Sequence, residues 1–326
     1  MEYKKLPGTE LTVSRACLGT MTFGDRLDAA AAAEAVAFAV GQGVNFVDTA
    51  DIYPRFHTET AERILGEAMK PWRDKLVVAT KAGGETGPGP DGRGLGKKHL
   101  TAALEGSLRR LQTDCIDLYY AHFPDRDVSP AELAETMNGF IRAGKIRHYG
   151  VSNFSAWQLC ELVLTARSMG LEPPVATESV YNLVTRGVEG ELLPFLEKYG
   201  MGLVVYNPLA GGLLTGKYLP GEAGNSQGRL SRDAEYGRRY GSAENRLAAE
   251  RLGALAAGRG QTLLALALQW LCAREAVTSV ILGFSSLGQL REDLEAINQT
   301  PPAPLPEAEL QEIWEALSGG RFAYYR

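Results

Sequence analysis

An acid, a phenol, an amine and an imidazole stand where three short apolar runs end. Asp48 closes Val44-Asn45-Phe46-Val47, Lys81 closes Leu76-Val77-Val78-Ala79-Thr80, and His122 follows Ile116-Asp117-Leu118-Tyr119-Tyr120-Ala121. Tyr53 comes shortly after Asp48, in Asp48-Thr49-Ala50-Asp51-Ile52-Tyr53. A phenol has a pKa of about 10, and a neighbouring ammonium favours the phenolate and lowers it. Tyr53 beside Lys81 therefore reads as a proton donor usable near neutral pH, with Asp48 holding Lys81 in place and charged. His122 would hydrogen-bond a substrate oxygen and orient it. Proton delivery of this kind typically contributes roughly 10²–10⁴-fold to a rate. The set suits reduction of a carbonyl, and the hydride for it must come from a cofactor. Each residue alone has a plain explanation: a helix cap, a solvated lysine, a core histidine, a packed tyrosine. Their shared place at strand ends is what argues for catalysis.

The elements that must carry them read as a repeating β/α pattern. Short apolar segments recur at 16–19, 44–48, 76–81, 116–122, 146–152, 175–181, 202–207 and 277–283. Helical periodicity fills 29–40, 60–69, 100–111, 131–143, 157–168, 192–199, 245–270 and 290–296. Several apolar segments are nearly continuous, as strands buried on both faces should be. Eight such units predict an α/β fold of the (β/α)8 TIM-barrel type, whose C-terminal strand ends face the active site. Gly41 and Gly43, then Gly170 and Gly200, mark helix ends before strands. Residues 2–13 predict an N-terminal β-hairpin about Gly8 that plugs the barrel bottom. Two long βα loops, 83–96 and 211–241, are of the kind that is usually functional or mobile. A barrel takes roughly 250 residues plus insertions, so the chain fits a single domain over 1–326.

Composition removes several classes. A net charge of −5 gives no basic field for nucleic acid. Cys17, Cys115, Cys160 and Cys272 are scattered with no CxxC pair, which argues against a disulfide framework or a metal site and for a reducing cytoplasm. No apolar run is long enough to span a bilayer, so no membrane is expected as a partner. No G-x-G-x-x-G follows the first strand, so a Rossmann site is unsupported. Gly211-Gly212-Leu213-Leu214-Thr215-Gly216-Lys217 imitates a P-loop, but Tyr218 stands where Ser or Thr would hold Mg²⁺.

With these motifs in place, the chain resembles the aldo-keto reductases over nearly its whole length. The resemblance is carried by Leu18-Gly19-Thr20-Met21-Thr22-Phe23-Gly24 and by Asp48 to Tyr53. It continues in Ser107-Leu108-Arg109-Arg110-Leu111, Gly150-Val151-Ser152-Asn153-Phe154 and Tyr206-Asn207-Pro208-Leu209-Ala210-Gly211-Gly212-Leu213-Leu214-Thr215-Gly216-Lys217-Tyr218. The last resembles the branch of aflatoxin-aldehyde reductases, potassium-channel β subunits and bacterial sugar or aryl-aldehyde reductases. It implies a barrel that binds an extended nicotinamide dinucleotide, NADP with NAD left open, and reduces a small-molecule aldehyde, ketone or keto-sugar. The catalytic tetrad implied is Asp48, Tyr53, Lys81 and His122.

For the cofactor, Ser152 and Asn153 match positions that hold the nicotinamide carboxamide, and Tyr206 matches the aromatic stacked on the ring. Thr20 and Met21 belong to the first motif. Asn207, Pro208, Leu209, Gly211 and Leu213 match the stretch that wraps the pyrophosphate. Gly283, Ser285, Gln289, Glu292 and Asp293 fall where the family grips adenosine. Three departures stand out. Glu178 replaces a usual Gln at the carboxamide, where a carboxylate accepts but cannot donate, and this is expected to favour oxidised cofactor. No basic residue follows the eighth strand to clamp a 2′-phosphate, which leaves Lys217, Arg229 and Arg291 to replace it. Asp293 replaces a frequent Asn at the adenine. Phe23, Phe56, His57, Trp72 and Phe123 are expected to face substrate. The resemblance leaves two other readings open: a slow redox-sensing regulatory protein of the channel β type, and a reductase of conjugated double bonds or sugar-nucleotide intermediates.

Overall fold

The apolar runs become the staves of a closed parallel barrel in the computed structural model of this chain, which describes residues 1–54, 59–89, 92–219, 228–317 and 324–325. Two short strands come first, β1 (Tyr3–Lys5) and β2 (Thr12–Ser14), paired antiparallel. The barrel strands are β3 (Ala16–Gly19), β4 (Phe46–Asp48), β5 (Val77–Ala82), β6 (Ile116–Ala121), β7 (Ile146–Ser152), β8 (Ala176–Val180), β9 (Gly202–Tyr206) and β10 (Val277–Leu282). Each pairs with its chain neighbours, and β10 closes the ring on β3.

The helices are α1 (Ala29–Gly41), α2 (Thr60–Ala68), α3 (Lys97–Leu111), α4 (Pro130–Arg142), α5 (Ala156–Ser168) and α6 (Leu192–Tyr199). They continue with α7 (Arg229–Arg232), α8 (Ala234–Tyr240), α9 (Ala243–Gly258), α10 (Leu263–Ala273), α11 (Leu287–Asn298) and α12 (Glu307–Glu315). Side-chain caps fix several starts: Asp28, Ser129, Ser242, Thr262 and Ser286 each accept from a first-turn backbone N–H, and Ser155 forms a capping box with Gln158. No helix among the described residues is long and apolar enough to cross a membrane.

Two departures from the sequence pattern have local causes. The periodicity over 245–270 is two helices, α9 and α10, because Gly260 takes φ +70 and Thr262 caps a new start. The loop at 211–241 contains the four-residue α7 and the seven-residue α8, each too short for periodicity to reveal.

The barrel interior explains how the site is held. Strand side chains alternate, so residues two apart point the same way. Cys17, Phe46, Ala79, Leu118, Tyr120, Ala176, Val204 and Ile281 pack together inside, joined from below by Leu6, Leu11 and Val13 of the hairpin. Leu6 lies against Gly202, the first residue of β9, so the hairpin plugs the N-terminal end. One step further toward the C-terminal ends, the same alternation reaches Asp48, Lys81, His122, Glu178 and Tyr206.

Gly150 on β7 makes room for that interior layer. A Cβ there would meet the Tyr120 ring at 2.6 Å and the Ala176 carbonyl oxygen at 2.8 Å. Overpacking of this kind costs about 1–3 kcal/mol. Gly150→Ala is therefore expected to lower unfolding stability by that amount in a denaturant titration, and an unchanged midpoint would contradict the tight fit.

Candidate active site

Backbone register brings the four residues to one mouth. Asp48 ends β4 opposite Ala79, Lys81 sits on β5 opposite Tyr120, and the His122 N–H bonds Ala82 O at 2.8 Å just past β6. The Thr49 N–H bonds Ala79 O at 3.0 Å and the Asp51 N–H bonds Lys81 O at 3.1 Å, so the chain after β4 folds across the end of β5. That turn delivers Tyr53 to Lys81, whose Nζ lies 5.1 Å from the phenol ring centroid. His122 meets Tyr53 edge-on with centroids 5.9 Å apart and stacks on Phe123 at 4.2 Å.

Lys81 is the electrostatic centre of the group. Its ammonium donates to Asp48 Oδ1 at 2.5 Å and to Thr49 O at 2.9 Å, and it stands 3.4 Å from Glu178 Oε2. Its side chain has no exposed surface. Burial acts to discharge it, but Asp48 and then Glu178 outweigh that and hold its pKa above the ordinary lysine value. Burial pushes the Asp48 carboxyl up, with Lys81 pulling it back in part. Burial and then the charge of Asp48 push Glu178 up to about 8 against the pull of Lys81. Tyr53 corrects the expectation of a lowered phenol. Lys81 does act to lower it, but burial is the larger effect, and the net shift is upward.

Similarity to known proteins agrees with this arrangement. A model of the Aldo/keto reductase family matches residues 15–317. The chain belongs to the aldo/keto reductase family. It is 35% identical over 316 residues to a probable voltage-gated potassium channel subunit beta of Oryza sativa subsp. japonica, covering 92% of each chain. It is 37% identical over 308 residues to an uncharacterized oxidoreductase, YrpG, of Bacillus subtilis, covering 91% of each. It is 32% identical over 323 residues to aflatoxin B1 aldehyde reductase member 2 of Rattus norvegicus, covering 95% of this chain and 87% of the relative. Family membership makes it an oxidoreductase of the carbonyl-reducing kind.

Several of the residues expected at a cofactor lie at the same strand ends. Asn153, in the left-handed region at φ 66, ties four strands together. Its N–H bonds Glu178 O at 3.0 Å, its amide nitrogen bonds His122 O and Ser152 Oγ at 2.9 Å each, and its Oδ1 accepts from the Tyr206 hydroxyl at 2.8 Å. Ser152 Oγ also donates to Glu178 O at 3.3 Å. Thr20 donates to Asp48 O at 3.0 Å, linking the first motif to the tetrad. Beyond β9, Asn207 takes φ 52 and Gly211 and Gly212 take φ 67 and 95, so Pro208, Leu209 and Leu213 lie on a sharply coiled backbone. Lys217 Nζ would be 2.8 Å from a Cβ on Gly212, so the amine lies over that coil. Burial, then Arg229, lowers the Lys217 pKa. Arg229 stacks on Tyr236 at 4.1 Å and reaches Met21 Sδ at 4.0 Å.

At the far end, Gly283 follows β10, and Ser285 donates to Gln289 Oε1 through both its backbone N–H, at 2.8 Å, and its hydroxyl, at 3.0 Å. Burial, then Glu292, pushes Asp293 up to about 7. Arg291 lies over Phe38 of α1 at 4.4 Å.

Two expected substrate-facing residues sit elsewhere. Phe23 is fully buried against Phe284. Trp72 precedes β5, in the connection that lies at the opposite, N-terminal end of the barrel. Phe123 does lie at the mouth, and Phe56 and His57 fall outside the described residues. Tyr236 was invisible to sequence reading; its hydroxyl donates to Asn207 Oδ1 at 3.2 Å, and only the fold of α8 over the coiled segment brings it there.

A second polar layer, also unforeseen, braces the tetrad from behind. Thr80 donates to Glu62 Oε1 at 2.6 Å, and Arg110 donates to Glu62 Oε2 at 2.7 Å and to Glu59 at 2.8 Å. Glu62 has no exposed surface. Removing one member of a buried ion pair strands the other and costs about 3–5 kcal/mol. Arg110→Met is expected to destabilise the fold by that amount in urea, whereas the double variant Arg110→Met with Glu62→Gln should recover much of it.

Proposed function

We propose that this chain is a cytoplasmic, single-domain, NADP(H)-dependent reductase of aldehydes, ketones or keto-sugars, with Tyr53 as proton donor. The observation that carries the reading is a fully buried Lys81 held between Asp48 and Glu178 and facing the Tyr53 ring. The residues present fit a nicotinamide dinucleotide. Gly211 and Gly212 take positive φ, Lys217 Nζ lies over Gly212, and Arg229 stacks on Tyr236, whose ring lies over Gly211, so two basic side chains stand at that coil for a phosphate. Ser152 and Asn153 would hold the carboxamide, Tyr206 would underlie the ring, and Gly283, Ser285, Gln289, Glu292 and Asp293 would line the adenosine. Bound there, the dinucleotide supplies the hydride to the carbonyl carbon.

The rest of the reaction falls to the protein. His122, its ring held by Phe123 and its backbone carbonyl by Asn153, orients the carbonyl oxygen. Tyr53 is protonated at neutral pH, as a phenol is; burial makes it a weaker acid, and Lys81 offsets part of that. As the carbonyl oxygen gains charge, the phenol O–H proton passes to it, and the Lys81 ammonium steadies the phenolate that remains. Asp48 prevents Lys81 from losing its own proton in the process. The name of the rice relative supports a regulatory reading, and the oxidoreductase and aldehyde-reductase names of the other two relatives support turnover.

NADPH and NADH oxidation against a panel of aldehydes, ketones and sugars tests this. Tyr53→Phe is expected to lose roughly 10²–10⁴-fold in turnover while still binding dinucleotide. Tight binding without turnover on any carbonyl would favour the regulatory reading, and no binding would remove the cofactor assignment. A charge-assisted hydrogen bond is worth about 1.5–3 kcal/mol, so Arg229→Ala should weaken NADPH about tenfold or more. NADH should be affected less, and equal losses would deny Arg229 the 2′-phosphate.

A further inference from the structure

Lys81 is one cation facing two carboxylates in a nearly closed site. Asp48 Oδ1 takes its hydrogen bond at 2.5 Å, while Glu178 Oε2 lies 3.4 Å from the same nitrogen and has no hydrogen-bond partner among the described residues. The Asp48 and Glu178 side chains are 3% and 4% exposed. With both ionised, the cluster holds one negative charge in excess. The other titratable groups around Glu178 are Tyr53 after β4, Tyr120 on β6 and Cys17 on β3, all kept neutral by burial, with His122 beyond Tyr53. Among the described residues no lysine or arginine besides Lys81 ion-pairs with Glu178, and a proton answers the remaining charge. Burial and Asp48 together put that proton on Glu178 at neutral pH and release it in mild alkali.

We propose that Glu178 makes the site's choice between oxidised and reduced dinucleotide depend on pH: protonated, it serves both forms, and ionised, it favours the oxidised one. This rests on the dinucleotide reading above. Glu178 pairs in register with Ser152, so it borders the carboxamide subsite. As a neutral acid it offers both a donor and an acceptor, as an amide does; as a carboxylate it only accepts. The oxidised nicotinamide ring is cationic and the reduced ring is neutral. A cation beside Glu178 favours its ionised form, so oxidised dinucleotide expels the proton to solvent and reduced dinucleotide leaves it in place. Linkage then makes oxidised-form affinity rise with pH relative to the reduced form.

The test is the ratio of dissociation constants, oxidised over reduced, measured by fluorescence titration between pH 6 and pH 9. Protons on the cofactor phosphate or on Asp293 act on both forms and cancel in the ratio. If Glu178 binds its proton about tenfold less tightly in the oxidised complex, the ratio falls about tenfold across that range. In Glu178→Gln it should stay nearly flat. Calorimetry at pH 8 in two buffers of different ionisation enthalpy reads the effect on the unaltered protein, where the oxidised form should release more protons. A flat ratio with equal proton release, both forms binding, overturns the role of Glu178 and leaves the cofactor reading standing. The same slope in Glu178→Gln moves the proton to another group and also overturns it. Failure to bind either form removes both readings.

Discussion

A lysine ammonium with no exposed surface persists at the mouth of this barrel only because carboxylates and a backbone carbonyl surround it. Burying a charge alone is prohibitive, and Lys81 would lose its proton without Asp48 and Glu178. Much of the local architecture follows from keeping those groups in contact. Asp48 must end β4, and Lys81 must point inward from β5. The turn after Asp48 must then bend back across β5, which is what carries Tyr53 to the ammonium. A positive charge that is both buried and secured acts on Tyr53 more strongly than a solvated lysine could, since little water screens it.

The barrel provides rigidity for this from two directions. Below, the hairpin residues Leu6, Leu11 and Val13 close the interior, and Tyr120 fills it against Gly150. Behind, Glu62 is shared by Thr80 of β5 and Arg110 of α3, so the strand that carries Lys81 is anchored to two helices. Across the mouth, Asn153 connects the ends of four strands while held at a positive φ. Such a conformation costs about 1–3 kcal/mol and survives where surrounding bonds impose it. The same amide holds the His122 backbone carbonyl and the Tyr206 hydroxyl, so the ends of β6 and β9 share one brace.

The sequence by itself determined the class of fold and picked out four residues that the fold brings to one mouth. Alternating strand and helix periods are local signals, and the tetrad residues sit at the ends of strands that those signals locate to within a residue or two. Helix ends were also legible at Gly43, Gly170 and Gly200, which all take positive φ. The split between α9 and α10 was not, because apolar spacing runs on through Gly260 and hides the turn.

The tertiary structure decided what depends on distance and desolvation. Sequence chemistry correctly paired Lys81 with Tyr53 and gave the sign of that interaction, but only burial reveals that the phenol's net shift is upward. Phe23 and Trp72 belong to plausible segments, yet one is enclosed in the core and the other lies at the opposite end of the barrel. The Glu62–Arg110 brace and the approach of Tyr236 join residues far apart in the chain. So does the contact of Glu178 with Lys81. A periodic pattern says which way a side chain points from its own strand. Which charges then meet, and how much water is left between them, is fixed only when the ring of strands closes.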